Sequence, residues 1–148
     1  MEIAVTYLHY LGMSMLMGIL SAELFLLKRD LTQKEAQRIQ LIDLGYLFVA
    51  LLMVGTGLSR VFWFAKGSEY YFSNSLFYLK VSTFTLVGLI SIFPTIKYLR
   101  WNRAFKKSKV IHLSENEYSG IRRWILIQLL LFPLIPLFAV LMARGIGS

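Results

Sequence analysis

Four apolar runs, each long enough to cross a bilayer as a helix, decide what this chain can fold into. The first extends from Ile3 to Leu27, about 25 residues in which only His9 and Glu23 can carry a charge near neutral pH. At about 1.5 Å of rise per residue, such a helix exceeds the roughly 30 Å hydrocarbon core of a membrane. Further runs of the same character cover Leu41–Leu58, Leu76–Leu99 and Trp124–Ala143. A helix satisfies its own backbone hydrogen bonds, which lipid cannot do for it. The expectation is an all-α integral membrane four-helix bundle, one transmembrane domain over residues 1–148. A composition of 57% hydrophobic and 16% charged residues agrees with that class. A cleaved signal peptide is the rival reading of the first run. No basic segment precedes its apolar stretch and Lys28-Arg29-Asp30 follows it, so it reads as a retained helix.

Between the spans, Asp30 to Gln40 reads as a tight polar connection whose few turns extend the neighbouring helices. Gly55-Thr56-Gly57 near the end of the second span permits close helix approach or a kink. Phe62-Trp63-Phe64 and Tyr70-Tyr71-Phe72 form an interfacial aromatic belt with a short surface helix. Pro94 kinks or terminates the third span, and Pro133 with Pro136 bends the fourth. Ser114 with Glu117 fits a capping box that opens the helix leading into span four.

Lysine and arginine set the expected orientation. Lys28, Arg29, Lys34 and Arg38 lie in the first loop, and Lys97, Arg100, Arg103, Lys106, Lys107, Lys109, Arg122 and Arg123 in or beside the third. Against these twelve stand only Arg60, Lys66 and Arg144 at the other end. The positive-inside rule therefore puts both termini on the non-cytoplasmic side. It also accounts for the net charge of +8 without nucleic acid, since the basic residues sit in short loops between spans. Membrane lipid is the expected environment, and the compact loops suit a bacterial inner membrane. With no cysteine, the chain can form no disulfide, thiolate metal site or cysteine nucleophile.

Charged groups inside a span cost several kcal/mol unless paired, hydrated or snorkelled, which makes each one a candidate. Counting along the spans places His9, Arg60, Lys80 and Arg144 in one layer near the termini. His9 offers a neutral imidazole to haem iron or another metal, or else it is satisfied by Tyr7, Tyr10 or Ser14 nearby. His112, the other histidine, belongs to the third loop, so one chain cannot supply a bis-histidine sandwich. Lys80 is a second ligand or a proton acceptor, or it snorkels to the interface. Arg60 presents a planar fork to a carboxylate such as a haem propionate, or anchors the end of its span. At the opposite end, Glu23 and Asp43 form a second layer, read as structural with Arg100 and Arg122 or Arg123 as counter-ions; the functional alternative is a proton relay.

Over nearly its whole length the chain resembles a bacterial family of small membrane proteins, domain of unknown function 2214. The resemblance rests on Leu8-His9, Gly18 to Glu23, Ile42-Asp43-Leu44, Arg60-Val61-Phe62, Lys66-Gly67, Phe77 to Lys80 and Met142 to Gly145. A more distant similarity links His9 and Phe77-Tyr78-Leu79-Lys80 to the HemJ-type protoporphyrinogen oxidases. In that family, which binds haem b, a first-helix histidine and the lysine of a W/F-x-x-K segment opening a later helix are functionally important. The Arg-x-x-Asn-Glu-x-Pro pattern of that family's last helix is absent, with Arg122-Arg123 and Pro133 in its place. What the resemblance implies is a haem b-binding membrane oxidoreductase converting protoporphyrinogen IX to protoporphyrin IX. His9 would serve as axial ligand, and Lys80 and Arg60 would complete the site. The competing reading is a small transporter or accessory subunit without haem, in which His9, Lys80, Arg60 and Glu23 line a polar path. Four helices enclose little space, so transport would call for a homo-oligomer. A purely structural membrane protein is the third class.

Overall fold

The computed structural model describes residues 1–64, 67–106 and 109–147. Lys66 and Lys107, counted above in the charge asymmetry, lie outside the described residues. Helix α1 covers Glu2–Leu26 and α2 Gln33–Ser59, the latter continued by a π-helical turn at Arg60–Phe64. The short α3 at Ser68–Phe72 is the surface helix of the aromatic belt. Next come α4 over Ser75–Ala104, α5 over Glu115–Leu131 and α6 over Leu134–Ala143. Four of these stretches are long and apolar enough to cross a membrane: Glu2–Leu26, Gln33–Phe64, Ser75–Ala104 and Glu115–Ala143.

The spans form a ring. Helix α1 packs on α2, α2 on α4, and α4 on both α5 and α6, while α5 closes back on α1. The outside of the ring carries Phe25, Phe48 and Leu130 largely exposed. An apolar surface of that extent belongs against lipid rather than water. Inside, Leu16, Leu20, Val49, Met53 and Val87 pack at mid-height. Gly12 lets α1 and α2 approach closely there, since a Cβ on it would stand 2.8 Å from Met53 Sδ.

Three local features differ from the sequence reading. The connection after α1 contains a strand, β1 at Asp30–Thr32, which pairs antiparallel with β2 at Val110–His112. This small ribbon ties the first and third loops together. Leu31, Ile39, Trp101 and Ile121 pack in the core cluster beneath it. His112 Nδ1 lies 2.6 Å from Asp30 Oδ1 across it, and Arg29 is ion-paired with Glu115. The reciprocal capping box sits at Thr32 and Glu35, where Glu35 Oε2 accepts from Thr32 N–H at 2.9 Å and Thr32 Oγ1 accepts from Glu35 N–H at 3.4 Å. Ser114 caps α5 by accepting from Glu117 N–H at 3.3 Å. Finally, α4 passes through buried Pro94 and runs on to Ala104, because Tyr98 and Trp101 beyond the proline are themselves core residues. The prolines of span four divide it into α5 and α6, with Phe132 and Pro133 at the break.

Candidate functional site

Near the end of the bundle that carries both termini, a cavity of about 460 Å³ is lined by His9, Gly57, Arg60, Lys80, Ile135 and their neighbours. Its size falls within the roughly 300–1,000 Å³ typical of small-molecule sites. Three spans supply its polar groups. His9 comes from the second turn of α1, Arg60 from the π-helical turn that prolongs α2, and Lys80 from the second turn of α4. The break at Pro133 starts α6 so that Ile135 faces the same space. Arg144, expected in this layer, is exposed and caps α6 instead. Of the four residues placed there by counting, the structure therefore brings three to one cavity.

His9 is held by a residue that counting alone did not single out. Its Nδ1 lies 2.9 Å from Thr56 Oγ1, while the same oxygen lies 2.8 Å from the Leu52 carbonyl. The one hydroxyl proton of Thr56 goes either to the Leu52 carbonyl or to His9 Nδ1. When it goes to Leu52, Thr56 Oγ1 accepts, the proton of the neutral imidazole resides on His9 Nδ1, and the ring's lone pair is on Nε2. Tyr7, Tyr10 and Ser14, the partners considered from sequence, do not fill this role; Ser14 donates back to the Tyr10 carbonyl at 3.2 Å. Gly57 borders the ring, where a Cβ would make an ordinary contact with His9 Cε1 at 3.4 Å. Of the Gly-Thr-Gly triplet at the end of span two, Thr56 and Gly57 meet His9, while Gly55 has open space at its Cβ position.

The two cations are arranged on aromatic rings. Arg60 Cζ lies 5.4 Å from the centre of the Tyr10 ring, and its buried Nε has no hydrogen-bond partner among the described residues. Lys80 Nζ lies 5.3 Å from the ring centre of Phe77 and 5.8 Å from that of Tyr71. A ring face attracts a cation without using its hydrogen-bond donors. Both groups thus keep donors for an anion, and neither forms an ion pair with a carboxylate among the described residues. Glu2 is the acidic residue in the cavity's lining.

A search with family models matches residues 1–147 to the family described as "Predicted membrane protein (DUF2214)". The chain belongs to that family of membrane proteins. No curated protein and no solved structure gives a match. Family membership thus fixes the membrane character of the molecule, and the cavity itself must speak for its chemistry. The arrangement offers one imidazole and two cations to the cavity. Among the described residues no three His, Asp or Glu side chains converge to hold a bare metal ion. One imidazole is nevertheless what a porphyrin-bound iron requires of a protein on one axial face.

The second polar layer departs from expectation. Glu23 is 3% exposed, and its partner is the Tyr98 hydroxyl, which donates to Oε2 at 3.3 Å. Asp43 Oδ1 accepts from Thr95 Oγ1 at 2.8 Å. Arg100, Arg122 and Arg123, expected as counter-ions, are exposed and pair with neither carboxyl among the described residues. The physical reason is directional: the two carboxyls face inward across the bundle, while the arginine-bearing positions lie on its outer surface. Lys97 pairs with Glu117 at 3.7 Å instead.

Proposed function

We propose that this protein is a haem b-binding membrane oxidoreductase of the bacterial inner membrane, oriented with both termini and the His9 cavity on the non-cytoplasmic side. The observation that carries the reading is the contact between His9 Nδ1 and Thr56 Oγ1 at the cavity wall; in this reading Nδ1 donates to Thr56, and Nε2 is the free base. Fixing one ring nitrogen by a partner hydrogen bond is how proteins orient a metal-ligating histidine and set its tautomer. In this reading His9 would hold the haem iron, and Arg60, whose buried Nε has no partner among the described residues, would hold a propionate. Haem b supplies one-electron redox chemistry when bound, and the protein sets ligation, access and charge.

Lys80 has two roles open to it, as second ligand or as a group that holds anions and exchanges a proton at Nζ. Its seat on the Phe77 and Tyr71 rings favours the second, because a ring face stabilises the ammonium form, which has no lone pair to give to iron. A porphyrinogen such as protoporphyrinogen IX is the substrate that the HemJ-like pair His9 and Lys80 suggests, with protoporphyrin IX as product. Its carboxylates match the two cations, and its conversion removes six electrons and six protons, so the reaction would need an external electron acceptor to take up the electrons.

Lys80→Gln tests the assignment. Loss of one charge-assisted contact, worth about 1.5–3 kcal/mol, should weaken haem retention by roughly 10- to 150-fold while the Soret maximum stays in place. A displaced Soret band with unchanged affinity would make Lys80 an iron ligand instead. The reading without haem, a transporter or accessory subunit, draws on the helix break at Pro133 beside the cavity. It predicts that neither quantity exists to be measured.

A further inference from the structure

The cavity around His9 is not closed toward the bilayer. A second hollow of about 310 Å³ shares His9, Gly57, Val61, Lys80 and Ile135 with the first, then extends between α2 and α4. Its remaining walls include Val54 and Leu58 from α2 and Val81 and Thr85 from α4, all exposed on the outside of the bundle. Gly88 forms part of this wall with no side chain, and a Cβ built on it meets no atom within 4 Å. The seam is thus open space at the depth of the hydrocarbon, nearly all apolar, and its polar residues are His9, Lys80 and Thr85. At its inner end the two cations Lys80 and Arg60 face the joined cavity without an acidic ion-pair partner among the described residues.

We infer that the site is loaded laterally from the membrane, the α2–α4 seam being a portal for an amphiphile with a carboxylate head and an apolar body. This rests on the reading of the cavity as a ligand site, and adds the class of its ligand and the side from which it comes. Charge complementarity selects the occupant. A neutral lipid tail would leave the two cations unmatched, and a small aqueous anion would leave the apolar seam unfilled. An amphiphilic carboxylate satisfies both, with its head at Lys80 and Arg60 and its body between the helices.

Oleate and oleyl alcohol, which share a body and differ in head, separate these possibilities when titrated against the full chain by native mass spectrometry. One oleate should bind per haem-free chain, about tenfold tighter than the alcohol, and Lys80→Gln should erase that difference. Gly88→Leu should weaken both ligands about tenfold by filling the seam, and it cannot fail through helix propensity, since leucine is the better helix former. Gly55→Leu provides the matched control. Gly55 is on α2, the other helix of the seam; it is exposed, has open space at its Cβ position, and lines neither hollow. Equal binding of acid and alcohol would overturn the charge selection, and an unaffected Gly88→Leu would overturn the portal. Acetate competing as well as oleate would make this an aqueous anion site and overturn lateral loading. Haem content is read on the same samples. A chain that never takes up haem yet retains oleate selectivity would sink the haem reading and leave the portal standing.

Discussion

Alanine in place of His9 should empty the protein of haem, with stoichiometry falling from about one per chain to background while the helical circular dichroism is unchanged. The fold does not depend on this imidazole, because His9 is only half-buried and its contacts lie on the cavity wall rather than in the packed mid-height core. Thr56→Val removes the acceptor for His9 Nδ1 at nearly constant shape. Losing such an outer partner of a metal-bound histidine typically costs about 10- to 100-fold in affinity. Thr56→Ser keeps the hydroxyl and should restore most of it. A purely structural threonine would instead show equal haem affinity in all three proteins, and that pattern would remove Thr56 from the site.

The largest stability effect is expected at the other polar layer. Glu23 and Tyr98 are both sealed from solvent, and each is the other's hydrogen-bond partner. Glu23→Leu strands the tyrosine hydroxyl, and Tyr98→Phe strands the carboxyl. An unsatisfied buried polar group costs about 1–3 kcal/mol. The double variant leaves nothing stranded and should be less destabilised than the sum of the singles by about 1 kcal/mol or more. Equilibrium unfolding in mixed micelles measures all four proteins of this cycle. Additive losses would show that the two residues act independently and that the contact contributes nothing of its own.

The four-helix membrane architecture was legible in the sequence because hydrocarbon thickness and backbone satisfaction leave few solutions for four long apolar runs. Membrane depth was legible too: His9, Arg60 and Lys80 were placed in one layer by counting residues, and they do share a cavity. Rotation about the helix axis was not. Arg144 lies at a similar depth but points away, and Arg100, Arg122 and Arg123 lie near Glu23 and Asp43 in depth while facing outward. Depth follows from a rise per residue, whereas facing depends on how each helix is turned against its neighbours. The strand pairing of Asp30–Thr32 with Val110–His112 was hidden for another reason. A three-residue ribbon carries no periodic signal, and its partners are far apart in the chain. The π-helical turn at Arg60–Phe64, which prolongs α2 and seats Arg60 in the cavity wall, likewise has no marker in local composition. Such single-turn irregularities are frequent at functional sites.

The central claim is that the cavity at His9, Arg60 and Lys80 holds haem b. An absorption spectrum of the detergent-purified protein, oxidised and dithionite-reduced, tests it most directly when paired with a pyridine haemochrome assay for stoichiometry. The account predicts about one haem b per chain, with a single-histidine signature. A protein that remains free of haem, even when expressed with added haem precursor, would contradict it.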